Sequence, residues 1–209
     1  MTSRIIIILV FLGVTGTVKG QLTPIKFPPT KKQIKEDERN QNCAHVTKFD
    51  SVQLLKFFPF NKAKSVRLIS FENPEPDKTI EFTSSETKTE TLKKSAPLDS
   101  LEYTNIKEIA LLDRTELIAL ANLLYNYGYG GPVFTVSEYK CYIPRNAILF
   151  LDEKDKTFAY IELCFECKGN RLSSDKVEAG EFCTQKYDLI KNFFAKQGIK
   201  YGISEGLIH

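Results

Sequence analysis

Residues 146–167 read "NAILFLDEKDKTFAYIELCFEC", and this stretch decides the fold. Its two apolar halves, 146–153 and 157–166, are separated by a short charged loop. Two apolar runs joined by such a loop predict a β-hairpin. With "EKD" or "KD" as the loop, the pairing of the two strands places Cys141 opposite or beside Cys167. The rest of the sheet is predicted around this hairpin.

A first helix is predicted over 114–127. Asp113 and Glu116 have the spacing of a capping box, in which each side chain accepts a hydrogen bond from the other residue's backbone N–H. The apolar residues that share one helical face are Leu117, Leu120, Ala121 and Leu124. Gly128 suits the left-handed position that ends a helix.

A second helix is predicted within "FCTQKYDLIKNFFAKQG" (182–198). Its apolar positions recur at spacings of four, three and four residues, at Cys183, Tyr187, Ile190 and Phe194. This periodicity is typical of an amphipathic helix, and Gly198 is expected to end it.

Further strands are predicted at 65–71 and 79–83, which form a second hairpin, and at 105–112 and 133–143. "KGNRLSS" (168–174) is predicted to be a loop. The order of strands and helices predicts an α+β fold in which an antiparallel sheet carries the two main helices on one face. We expect disulfides to stabilise this fold.

The N-terminus predicts the compartment. Arg4 is followed by an apolar run from Ile5 to Val14, and small residues precede Gln21, which is the pattern of a signal peptide over 1–20. The apolar run is too short to span a membrane. We therefore expect a secreted or periplasmic protein that is not embedded in a membrane after cleavage.

Two parts follow the predicted signal peptide. Residues 21–45 are polar and contain three prolines, so they are predicted to be an exposed leader, with a short helix possible over 31–40. Residues 46–209 are predicted to form a single α+β domain.

The mature chain is nearly neutral. Removing 1–20 takes two of the 29 basic residues and none of the 26 acidic ones, which leaves a net charge of +1. This balance excludes a typical nucleic-acid binder.

Five cysteines remain in the mature chain, and an oxidising compartment favours disulfides between them. Cys164 and Cys167 form a C-x-x-C motif. If the strand continues through both, alternation sends them to opposite faces, about 10 Å apart at Cα, which is too far for a bond. No helix follows the motif, which argues against a thioredoxin-like active site.

The predicted cluster contains Cys141, Cys164, Cys167 and Cys183. The preferred pairing joins Cys141 to Cys167 and Cys164 to Cys183, and it leaves Cys43 over. The alternative is a structural zinc site with the same four cysteines as ligands. No other cofactor is predicted.

A family resemblance covers about residues 139–202. The segments "KCYIPRNAILFLDEKDKTFAYIELCFEC" and "FCTQKYDLIKNFFAKQGIKYG" resemble an uncharacterised group of secreted bacterial proteins common in Bacteroidota, which have a C-Y-x-P-R … C-F-E-C … C core. The resemblance implies a secreted location and a shared core. It implies no activity.

None of the candidate groups of catalytic residues has the geometry that catalysis requires. A Cys43–His45 pair lacks an orienting partner, Glu162 and Glu166 are too far apart along a strand, and "GYGGP" (128–132) follows a helix instead of preceding one. We therefore predict a binding or interaction module, whose partner is an extracytoplasmic protein or ligand. The alternatives are a thiol–disulfide oxidoreductase that uses Cys164 and Cys167, and a zinc-stabilised domain.

Overall fold

The structure, a computed structural model, describes residues 29–46, 48–72, 105–134 and 142–205. The elements follow one another along the chain as α1 (Lys31–Gln41), β1 (Cys43–His45), α2 (Ser51–Leu54), β2 (Ser65–Phe71), β3 (Ile106–Leu111), α3 (Arg114–Tyr125), β4 (Tyr127–Tyr129), β5 (Asn146–Leu151), β6 (Thr157–Cys164), β7 (Gly169–Leu172) and α4 (Lys186–Lys196). The predicted α+β class is confirmed.

The central sheet has five antiparallel strands in the order β3-β2-β5-β6-β7. The predicted hairpin is β5–β6, and its register places Asn146 opposite Leu163. An irregularity between Phe150 and Leu151 shifts the pairing by one residue next to the turn. The register predicted for the loop "KD" and the register predicted for the loop "EKD" therefore both occur in this hairpin, on either side of the irregularity.

One face of the sheet packs against the helices. Alternating strand residues on this face form a single buried cluster with α3 and α4, whose members include Leu68, Ile148, Phe150, Ile161, Leu163, Leu120, Leu124, Ile190 and Phe194. Burial of each such side chain stabilises the fold by about 1.5–3 kcal/mol. The opposite face carries a smaller buried cluster of Ile69, Phe71, Ala147, Leu149, Leu151 and Tyr160. The two main helices therefore lie on one face, as predicted.

Helix α3 begins as predicted and ends earlier. The backbone N–H of Asp113 donates to Glu116, and the N–H of Glu116 donates to Asp113, each at 2.8 Å. The helix ends at Tyr125 with Asn126 as its C-cap, and Gly128 lies in β4, so the predicted left-handed cap at Gly128 is wrong. Pairing of β4 with the distant β1 turns the chain away from the helix.

The predicted short helix at 31–40 is confirmed as α1, with a capping box between Thr30 and Gln33. The C-terminal part of the predicted leader is attached to the domain, because β1 pairs with β4 and Cys43 is in a disulfide. "KGNRLSS" contains β7, because Lys168 takes a positive φ of 47° and turns the chain back beside β6. The loop prediction there is wrong.

The remaining strand predictions have mixed outcomes. The strands at 65–71 and 105–112 are confirmed as β2 and β3. The strand at 79–83 lies outside the described residues. Of 133–143, the ends 133–134 and 142–143 are not in a strand, and the residues between them are outside the described ranges. Within the described parts of the chain, no helix is long and apolar enough to cross a membrane.

Candidate functional site

Cys43 is bonded to Cys183, with the sulfur atoms 2.02 Å apart and the Cα atoms 5.1 Å apart. The predicted Cys164–Cys183 bond is therefore wrong, and Cys43 is not the cysteine left over. Cys164 carries a free thiol instead. The bond joins β1 to the segment just before α4, so it links two parts of the chain that are 140 residues apart.

The sheet explains why Cys164 does not meet Cys183. Alternation along β6 places Ile161 and Leu163 on the face that α4 covers. Cys164 points with Tyr160 and Glu162 toward the opposite face. Cys183 lies just before α4, which covers the other face. The two cysteines are therefore not brought together.

The C-x-x-C motif lies in a turn. Strand β6 ends at Cys164, so the expectation that alternation separates the two cysteines is wrong. The backbone N–H of Cys167 donates to the Sγ of Cys164 at 3.3 Å. Even so, the two sulfurs are not bonded to each other, because Cys164 is free while Cys167 is in a disulfide. Its predicted partner, Cys141, lies outside the described residues.

The environment of the Cys164 thiol disfavours its reactive form. The side chain is buried, and its Sγ donates to the main-chain oxygen of Ile143 at 3.3 Å. Burial raises the pKa of Cys164, and the nearby carboxylate of Glu166 adds to this effect. Because the thiolate is the nucleophile, this arrangement is that of a structural thiol.

Two ion pairs surround this thiol. Glu162 accepts hydrogen bonds from Tyr142 at 2.8 Å and Arg171 at 2.7 Å, and Arg145 pairs with Glu166 at 2.6 Å. Burial raises the pKa of Glu162, although Arg171 opposes the effect. Each carboxylate is neutralised by its own arginine, so the pair forms a structural network and not two catalytic acids.

The predicted zinc site loses two of its four ligands. Cys183 and Cys167 are each in a disulfide, whereas zinc binds the thiolate form of cysteine. Among the described residues, no three His, Cys, Asp or Glu side chains are close enough together to hold a metal. Cys141 is outside those residues, so a site that uses it is not described.

A pocket of about 360 Å³ lies between three chain segments. The first wall contains Val46, Lys48, Phe49 and Phe57. The second is the end of α3 with β4, and the third contains Glu178, Gly180 and Glu181, which precede α4. The floor is aromatic. The rings of Phe57 and Tyr125 are stacked at 4.3 Å, and Phe49 meets Phe57 edge-on at 4.9 Å.

The first wall is held by Asn126, which is buried. Its side-chain oxygen accepts from the N–H groups of Lys48 and Phe49 at 3.2 and 3.1 Å. Its amide nitrogen donates to the oxygen of Phe49 at 3.0 Å and to Asn122 at 2.8 Å. One side chain at the end of α3 therefore fixes the backbone that positions Phe49.

The opposite wall is held against β4. The hydroxyl of Tyr125 donates to the main-chain oxygen of Glu178 at 2.8 Å, and the N–H of Tyr129 donates to the carboxylate of Glu181 at 3.0 Å. A side chain at Gly128 would collide with that carboxylate. The Cys43–Cys183 bond lies two residues beyond Glu181 and ties this wall to β1.

Our reading of the sequence missed this pocket. All five residues of the stretch "YNYGY" (125–129) line the pocket, whereas the sequence pattern predicts the end of a helix and a loop there. Its aromatic density was the available signal. The other two walls come from distant segments, which the pattern of this stretch does not indicate.

Comparison of the chain with models of protein families, with curated proteins and with solved structures gave no match.

Proposed function

We propose that this protein is a secreted or periplasmic binding protein that holds a small ligand in the aromatic pocket. The observation that carries the proposal is the way the pocket walls are fixed. Asn126 holds one wall and the Cys43–Cys183 disulfide holds the other. Walls that are ordered before binding do not have to be ordered by the ligand, which favours affinity.

The proposed location rests on two observations. The first 20 residues have the pattern of a signal peptide, and a disulfide is typical of oxidising compartments. Expression of the full chain in a Gram-negative bacterium tests this. We expect the protein in the periplasm or the medium, with Gln21 as its N-terminal residue. Recovery of uncleaved protein from the cytoplasm would refute the proposed location.

Ligand binding is tested by filling the pocket. Val46 lines it and is 43 % exposed, so Val46→Trp places a large ring in the pocket without disturbing the core. Val52 is 63 % exposed on α2 and outside the lining, so Val52→Trp is the matched control. A library of small polar and aromatic compounds is screened by amide chemical shifts in NMR spectra.

We expect compounds that shift the amides of Tyr127 and Tyr129 in the wild-type protein and in Val52→Trp. The same compounds should lose binding to Val46→Trp. Hits that bind all three proteins equally would show that the pocket is not the binding site. A screen without any hit at these amides would likewise contradict the proposal.

A further inference from the structure

We infer that the ligand of this pocket is a small organic cation, an ammonium or guanidinium group carried on an apolar body. This inference rests on the proposed binding function and specifies the chemistry of the ligand. Three features of the pocket point to it: its aromatic floor, its two carboxylates and the position of its nearest cations.

The floor favours a positive charge. Phe49, Phe57 and Tyr125 form one contiguous aromatic group, with centroid distances of 4.9 and 4.3 Å. The faces of aromatic rings are electrically negative, so they attract a cation within about 6 Å of their centroids. Tyr127 adds a further ring to the lining. The apolar body of the ligand would pack against the same rings.

Two carboxylates belong to the wall that precedes α4. Glu178 and Glu181 both line the pocket, and both side chains belong to exposed residues. Neither forms an ion pair with a lysine or arginine among the described residues. Glu181 is held in place by the N–H of Tyr129, which uses one carboxylate oxygen. Its charge is thus positioned at the pocket without a direct ion pair, and it also acts on the buried Lys186 behind the wall.

The lysines near the pocket do not outweigh the negative charge of Glu178 and Glu181. Among the described residues that line the pocket, Lys48 is the one lysine or arginine, and it is exposed. Lys186 lies behind the wall at Gly180, fully buried, and donates its hydrogen bond to Leu124. The described part of the lining therefore carries two negative groups and one positive group. An anionic ligand in the pocket would be repelled by both carboxylates, whereas a cationic ligand would be attracted to them.

Three probes with one aromatic body and different charges test the inference. Benzylammonium is positive, benzyl alcohol is neutral and benzoate is negative at pH 7. Binding is followed by the amide shift of Tyr129, whose N–H is bonded to Glu181. We expect benzylammonium to bind at least about tenfold more tightly than benzyl alcohol, which corresponds to about 1.4 kcal/mol. Benzoate should bind most weakly.

Two substitutions in the lining should shift the affinity for benzylammonium in opposite directions. Glu181→Gln removes the charge and keeps an oxygen for the N–H of Tyr129, so it should weaken binding about threefold to tenfold. Lys48→Met removes the one lining cation and should strengthen binding. Glu153→Gln and Lys154→Met, both at exposed positions in the β5–β6 turn, are matched controls that should change nothing.

The outcomes separate this inference from the proposed function. Equal binding of benzylammonium and benzyl alcohol, abolished in both cases by Val46→Trp, would keep the binding pocket and overturn the cationic ligand. Preference for benzoate, strengthened by Glu181→Gln and weakened by Lys48→Met, would overturn it in the same way. If none of the three probes shifts the Tyr129 amide, the inference of a cationic ligand is rejected. The compound screen described above tests separately whether the pocket binds any ligand.

Discussion

The ammonium group of Lys186 lies 2.6 Å from the main-chain oxygen of Leu124, inside the protein and near the end of α3. The last carbonyl groups of a helix lack partners within it, and a positive charge at this end is favourable. Burial nevertheless penalises the charge and lowers the pKa of Lys186 to about 8, although the nearby Glu181 opposes the effect. This lysine therefore caps α3 at an energetic cost.

The stability contribution of Lys186 should depend on pH. Between pH 8 and 10.5 the unfolded chain keeps a proton on this lysine that the folded protein has lost, so the free energy of unfolding rises with pH. Relative to Lys186→Met, the wild-type protein should gain up to about 3 kcal/mol across this window. Urea unfolding of both proteins at several pH values measures the difference.

Lys196→Met is the control for this experiment, since Lys196 is exposed in the last turn of the same helix. Its difference from the wild type should stay flat over the same pH range. A flat or falling difference for Lys186→Met would contradict the lowered pKa.

The Cys43–Cys183 disulfide should contribute strongly to stability. It joins residues 140 positions apart, and a cross-link that closes a long loop restricts the unfolded chain most. The double variant Cys43→Ala/Cys183→Ala should lose about 2–5 kcal/mol of unfolding free energy in urea titrations. Cys164→Ala removes a buried thiol without a cross-link, so it should cost less. A double variant within about 1 kcal/mol of the wild type would refute this contribution.

Two glycines offer a matched test of local crowding. Gly180 and Gly198 both have positive φ, at 65° and 85°. A Cβ at Gly180 would collide with the main-chain oxygen of Leu124, whereas one at Gly198 would meet nothing within 4 Å. Gly198→Ala should cost about 1–2 kcal/mol from the backbone conformation alone. Gly180→Ala should cost clearly more in thermal or chemical unfolding, and equal costs would show that the contact with Leu124 yields easily.

The Cys164 thiol should be unreactive in the folded protein. It is buried and its pKa is raised, so iodoacetamide at pH 8 should not label the peptide that contains it. In guanidinium chloride the same peptide should be labelled fully, which provides the control. Rapid labelling of the native protein would revive the hypothesis that Cys164 and Cys167 form a redox site.

Local patterns predicted the elements that local interactions determine. The capping box of Asp113 and Glu116 and the apolar alternation around the β5–β6 turn depend on residues close in sequence. Both were predicted, and both are present. The turn at Lys168 was missed because the chain there takes a positive φ at a residue that is not glycine or asparagine. Strand β7, which follows this turn, was therefore not predicted either.

Contacts between segments that are distant in sequence could not be predicted from these local patterns. Alternation along β6 places Cys164 on one face of the sheet, but it does not reveal which distant segment lies over that face. Cys183 meets Cys43 because β1 pairs with β4, and three residues in each strand give too weak a pattern to predict this. The pocket depends on the same pairing. It was missed for the same reason.

Since Cys43 and Cys183 are bonded, the chain between them forms a covalent ring. A protease that cuts one peptide bond within this ring opens it but releases no fragment, because the two pieces remain joined through the sulfur atoms. A nicked molecule would migrate as one species until a reductant is added. In surroundings that contain proteases, such a protein would keep its parts together after damage that would divide an uncrosslinked chain.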